Sequence, residues 1–223
     1  MKTIGFFGDS YCSELKAIDG DRRLEVNWDT YIEIIRDKLS LELVHLGYLG
    51  TSIWDLLLLQ LPYFLKSNTL PDICVFLWTE PSRIFNRDFR RISSNPLNYH
   101  EIENDEFRTT VKNYYKYLYD EELQRFQYKS ALYYFDKEVL SLYKNKTKFV
   151  HLKSNYSLDN FNYSFSNGVT FREDLFSFFR NKQPSDGIRA SNHIYGQENN
   201  ELLASKIIYA IKNYRNITLS LND

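Results

Sequence analysis

Ile73-Cys74-Val75-Phe76-Leu77-Trp78 is a run of six apolar residues with no polar position to mark a solvent face. Bounded by Pro71 and Thr79, it predicts a strand over 72–78 that needs cover on both faces, the habit of a parallel sheet. Two shorter apolar runs precede it, 2–7 closed by Gly8 and 41–46 closed by Gly47, and both read as strands. The stretches between them have helical spacing. Residues 27–39 carry Trp28, Tyr31, Ile32, Ile34, Ile35 and Leu39, with Asn27 as the expected N-cap. Residues 52–66 form a second helix in which Leu56 to Leu59 are too apolar to be fully exposed. Strand, helix, strand, helix, strand at this spacing is the signature of βαβ units.

The remainder is less regular. Residues 83–98 are polar and Arg-rich, with Pro96 as a breaker, and 107–144 look helical in two segments meeting near Asp120. A fourth strand is expected over 148–152. Residues 155–181, rich in Asn, Ser and Phe, read as loop with short irregular pieces. Leu202, Leu203, Ile207, Ile208 and Ile211 predict a final helix over 196–214. With 223 residues, no internal repeat and no linker, the chain is expected to be one domain over 1–223. The expected architecture is a parallel α/β sheet of flavodoxin-like type, with a helical insertion at about 84–146 between its third and fourth strands.

A formal charge of −1 argues against nucleic acid or an anionic membrane as a partner. No apolar run approaches the ~20 residues of a membrane helix, and residues 4–7 are too short for the apolar core of a signal peptide. The expectation is a soluble protein made in the cytoplasm, with release by lysis or within a particle left open. Cys12 and Cys74 have neither metal nor redox spacing, which fits a reducing compartment, although a disulfide stays open. No metal cluster and no phosphate-cradling loop is evident, so no cofactor is expected.

The first strand ends in Gly8-Asp9-Ser10. In open parallel sheets, sites form beyond the carboxyl ends of the strands, and residues 9–10, 47–52 and 79–83 are all expected at that edge. A serine hydroxyl attacks only when a base takes its proton, and the tetrahedral intermediate then needs donors aimed at its oxyanion. Ser10, at a strand-to-helix turn, offers a hydroxyl and a backbone N–H. The candidate bases are His45, His100, His151 and His193. His193 stands out, because it lies in an exposed stretch just before the last helix.

These features together resemble the SGNH (GDSL) hydrolase superfamily. Phe6-Phe7-Gly8-Asp9-Ser10 is similar to its first block, which implies Ser10 as nucleophile and oxyanion donor. Residues 45–52, His-Leu-Gly-Tyr-Leu-Gly-Thr-Ser, resemble the second block, Asn-x-Gly-x-x-Gly, and imply the Gly50 N–H as an oxyanion donor. Asn192-His193 before the final helix resembles the last block and implies His193 as base. Three positions depart from the pattern. His45 stands where the second block has Asn. Thr79 stands where the third block, Gly-x-Asn-Asp, has its oxyanion Asn. Ala190 occupies the usual Asp position three before the His, with Asp186 seven before it. Trp78-Thr79-Glu80-Pro81-Ser82-Arg83 is similar to a Trp-Thr-x-Pro-x-Arg stretch of divergent, often phage-associated members. The Thr79 hydroxyl would then complete the oxyanion hole. Asp186 or a backbone carbonyl would orient His193, giving a triad or a dyad.

The resemblance implies a serine esterase or deacetylase acting on a small acyl ester, an O-acetylated carbohydrate above all. Two alternatives use the same scaffold: a non-catalytic glycan-binding or particle-associated module, and an O-acyltransferase with the same Ser10 and His193. Arg83, nearest the oxyanion loop, is a candidate for holding an anionic group of the substrate, whereas Arg87, Arg90 and Arg91 read as a solvated basic loop. Asp9 is a further candidate at the substrate edge, and its plainer role is to brace the turn that presents Ser10. The tyrosines at 114, 115, 117 and 119 could offer stacking platforms for a sugar, and their plainer reading is packing between two helices or a homo-oligomer face.

Overall fold

The computed structural model describes residues 1–12, 18–19, 22–23, 29–48, 50–79, 81–83, 85, 102–154, 163–180, 182, 194 and 196–222. The chain is α/β, with a parallel sheet of flavodoxin-like type between two layers of helices. Its six strands are β1 (Thr3–Phe7), β4 (Glu42–His45), β5 (Ile73–Trp78), β6 (Lys148–Lys153), β7 (Val169–Asp174) and β8 (Ile217–Leu219). They lie in the order β4-β1-β5-β6-β7-β8, every neighbouring pair parallel. A two-stranded antiparallel ribbon, β2 (Ile18–Asp19) with β3 (Arg22–Arg23), stands apart.

The lack of alternation in Ile73–Trp78 has a simple cause: all six residues are buried because both faces of the sheet are covered. Ile73, Val75 and Leu77 point into one core with Ile4, Phe6, Val150 and Leu152. That core is closed by the helices Tyr31–Leu39, Leu175–Arg180 and Gly196–Lys212. Cys74, Phe76 and Trp78 point into the other with Phe7 and Phe149, closed by helix 53–66 and by Tyr128, Leu132, Phe135 and Leu140. Each fully buried Leu, Ile or Phe contributes about 2 kcal/mol. Neither layer is therefore dispensable.

Several local features differ from expectation. The first helix is capped by Thr30, not Asn27: the Thr30 side chain accepts from the Glu33 N–H, and the Glu33 carboxylate accepts from the Thr30 N–H at 2.8 Å. This reciprocal capping box satisfies two end donors at once. Residues 155–181 are not simply loop, because they contain β7 and the helix Leu175–Arg180. β7 is an interior strand between β6 and β8, yet only Val169 and Phe171 of its six residues are apolar, and β8 has only three residues. The signals were too short to read from periodicity.

Helix 53–66 has a π-helical turn at Leu56–Gln60. Leu58 is exposed there while Leu56 is fully buried. The helices Asp105–Tyr117 and Glu121–Tyr134 meet at Asp120, whose carboxylate caps the second by accepting from the Leu123 N–H at 2.7 Å. These helices connect β5 to β6, and the second supplies much of one core. Among the described residues no helix is long and apolar enough to cross a membrane. Cys12 and Cys74 are free, buried thiols.

Candidate functional site

Three loops converge beyond the carboxyl ends of β1, β4 and β5, and hydrogen bonds around Gly8 tie two of them together. The Gly8 carbonyl accepts from the Tyr48 N–H at 3.2 Å, the Gln60 amide at 3.0 Å and the Thr51 hydroxyl at 2.9 Å. Gln60 also accepts from the Gly8 N–H at 3.1 Å. The third loop joins through Arg83. Its guanidinium donates to the Thr51 carbonyl at 2.9 Å and forms an ion pair with Asp9 at 3.2 Å. With Asp9 fully buried and the Arg83 side chain 12 % exposed, this pair is shielded from solvent and from salt.

Ser10 opens a single turn of 3-10 helix, Ser10–Cys12, and is 7 % exposed. Asp9 braces that turn: its carboxylate accepts from the Tyr11 N–H at 3.1 Å, and its carbonyl from the Cys12 N–H at 2.9 Å. Gly50 adopts left-handed backbone at φ 69°, the conformation that favours glycine. Two residues on, Ser52 and Asp55 form a capping box that starts helix 53–66. Thr79, just past β5, is 2 % exposed, and its hydroxyl has no hydrogen-bond partner among the described residues. A buried hydroxyl left in that state costs about 1–3 kcal/mol unless something else bonds it.

The helices between β5 and β6 reach this edge as well. Tyr128 donates its phenol to the Thr79 carbonyl at 2.9 Å, and Tyr115 donates to the Ser82 carbonyl at 2.7 Å. Burial, then the negative charge of Asp9, push the Tyr128 phenol pKa upward. It therefore stays a protonated donor at any ordinary pH.

Of the candidate site residues, Ser10, Asp9, Gly50, Thr79 and Arg83 all belong to these three loops. His193, Asp186 and His100 lie outside the described residues. His45 ends β4 with its ring stacked on Phe7 at 4.6 Å and Nε2 at 3.3 Å from the Gln60 amide oxygen. Burial lowers its pKa. His151 is enclosed: Trp78 donates to Nδ1 at 3.3 Å, and Nε2 donates to the Asn167 carbonyl at 2.9 Å. Both ring nitrogens are thereby used in the core. Among the described residues no group of three or more His, Cys, Asp or Glu is arranged to hold a metal ion.

Gln60, Thr51 and Tyr128 were not singled out by the sequence reading. Gln60 had a legible signal, as the one polar residue within Leu56-Leu57-Leu58-Leu59-Gln60-Leu61. The π-helical turn places it among the buried residues of that segment, and such turns recur at functional sites.

A narrow cleft lies on the β5–β7 side of this region, lined by Trp78, Tyr128, His151, Tyr163, Phe165 and Thr170 among others. The Thr170 hydroxyl is buried there and has no partner among the described residues. Thr170→Val removes this desolvated hydroxyl at nearly constant volume and suits a strand. It is expected to leave stability unchanged or raise it by roughly 1 kcal/mol in urea denaturation. A loss of that size would show that the hydroxyl is bonded in solution.

Compared with known proteins, the chain matches no family model, no curated protein and no solved structure.

Proposed function

We propose that the protein is a serine esterase that removes a small acyl group, an O-acetyl group on a carbohydrate above all. The observation that carries this reading is the convergence at one sheet edge of a serine-bearing turn, a left-handed glycine and a buried threonine hydroxyl with no partner among the described residues. In the proposed reaction the Ser10 hydroxyl attacks the ester carbonyl carbon while His193 takes its proton. The oxyanion is held by the N–H groups of Ser10 and Gly50 and by the Thr79 hydroxyl. Collapse expels the alcohol, which receives the proton from His193. Water, activated by the same histidine, then releases the acid and frees Ser10. Asp186 or a carbonyl orients the histidine. Arg83 is bound to Asp9 and Thr51, so we propose that it contributes chiefly by holding the second and third loops in register.

A second reading, a non-catalytic glycan-binding module, draws on one feature: threonine, a single-donor side chain, stands where the resembled family has an asparagine. An acyltransferase would use the same residues, with a sugar hydroxyl in place of water, and would reveal itself by a transacylated product when acceptor is added.

Intact mass after incubation with a fluorophosphonate tests the proposal. A single adduct is expected on the wild type, none on Ser10→Ala, and a rate at least about a hundredfold slower on His193→Ala. No adduct on folded wild-type protein would sink the esterase and the transferase together and leave the binding module.

A further inference from the structure

The helices between β5 and β6 end up at the same edge as Ser10, and their contact with it is specific. Tyr128 is 2 % exposed, lies in the second core, and gives its phenolic hydrogen to the Thr79 carbonyl at 2.9 Å. The Thr79 hydroxyl itself, buried, is without a partner among the described residues. Among those residues the side chain that reaches Thr79 by hydrogen bond does so at its backbone carbonyl. Tyr115 holds the Ser82 carbonyl at 2.7 Å, three residues further along the same loop.

Phenol-to-carbonyl bonds of this kind fix a peptide plane, and the plane fixes where the Thr79 Cα–Cβ bond points. A hydrogen-bond donor for a developing oxyanion acts only within a few tenths of an ångström of its proper position. We infer that Tyr128 is a positioning residue, which acts through Thr79 by setting the direction of that hydroxyl, and that the β5-to-β6 helices are thus a working part of the site. The inference rests on the reading of Thr79 as an oxyanion donor, and it identifies the group that makes a threonine adequate in that role.

The test compares wild type, Thr79→Ala, Tyr128→Phe and the double variant, with 4-nitrophenyl acetate as the probe substrate. Tyr128→Phe keeps the ring in the core and removes only the hydroxyl. It is expected to lower kcat about tenfold with KM changed less than about twofold, the pattern of a loss felt mainly in the transition state. Thr79→Ala is expected to lower kcat by a similar or larger factor. Because Tyr128 acts through Thr79, adding Tyr128→Phe to Thr79→Ala is expected to cost less than about twofold more. A purely structural tyrosine would give independent, multiplying losses, and that result overturns the inference. So does a Tyr128→Phe enzyme with wild-type kcat.

Amide hydrogen exchange supplies a readout that needs no turnover. In Tyr128→Phe, exchange in the 79–83 segment is expected to speed about tenfold while that of β1 and β6 stays unchanged. Unaltered exchange in 79–83 overturns the inference whether or not the protein is an esterase. Absence of Ser10-dependent turnover in the wild type would instead overturn the esterase reading, and exchange would still decide whether Tyr128 holds the loop.

Discussion

Gly8→Ala is expected to destabilise the fold by roughly 3–5 kcal/mol, the sum of backbone strain and overpacking. Gly8 has φ +152°, and a Cβ there would lie 2.5 Å from the Leu77 carbonyl oxygen and 2.9 Å from the Leu77 Cβ. Neither neighbour can yield cheaply. Leu77 is a buried residue of β5, paired with Leu152 of β6. Moving Gly8 away instead would pull its carbonyl from Tyr48, Thr51 and Gln60. In a chain of this size the melting temperature is expected to fall by about 10 °C. Gly5→Ala is the control, since its Cβ would press on the ring of Phe7 and on Pro71 rather than on backbone. Wild-type stability in Gly8→Ala, measured by urea denaturation, would show that the two strands do not approach as closely as described.

A second large effect is expected in acid. His151 is 1 % exposed and packs its ring on Phe165 at 3.8 Å and on Phe76 at 5.4 Å. Its Nδ1 must stay unprotonated to accept from Trp78. Burial pushes its pKa down to about 4, although the Asn167 carbonyl and the Asp136 charge act in the opposite direction. Unfolded, the ring titrates near 6.5. The neutral ring belongs to the fold, so this contribution is complete above pH about 6.5 and is lost as pH falls toward 4; below that, both states are protonated. The total is about 3 kcal/mol. Stability from urea denaturation should begin to fall near pH 6.5, before ordinary carboxylates titrate. His151→Gln should remove the larger part of that early slope, the rest belonging to His45, whose pKa burial also lowers. A flat profile from pH 6.5 to 5, or the same slope in His151→Gln, would refute the assignment.

Asp136 adds a later loss. Burial alone would raise its pKa, but the N–H and hydroxyl donors of Ser166, with Asn167 and Tyr163, outweigh it and hold the value below the usual carboxylate range. That contribution is present above the ordinary carboxylate range and disappears as pH drops through the lowered value. Acid therefore loosens His151 first and then the 163–167 segment that stacks Phe165 against it.

Much of the fold was legible because it is local. An unbroken apolar strand such as Ile73–Trp78, a glycine at its end and helical spacing before the next strand are short-range consequences of covering both sheet faces. β7 escaped notice because its outer half, Arg172-Glu173-Asp174, is polar. Glu173 is occupied instead by the C-terminal turn, accepting from the Leu221 N–H at 2.7 Å and the Ser220 hydroxyl at 2.6 Å. A strand that satisfies polar side chains through distant partners carries no period-2 signal.

The site divides in the same way. Ser10, Gly50 and Thr79 could be nominated from sequence, since each follows a strand and strand ends in a parallel sheet share an edge. Gln60 and Tyr128 could not be given their roles, because each meets its partner 52 and 49 residues away through a single side chain. Nor could the pairing of Arg83 with Asp9, 3.2 Å apart and out of solvent. The sequence by itself determined the order of the first three sheet strands and of the helices between them, and with it which loops meet. Only the tertiary structure decided which side chains hold those loops together, because hydrogen bonds between remote residues depend on geometry that no local pattern encodes.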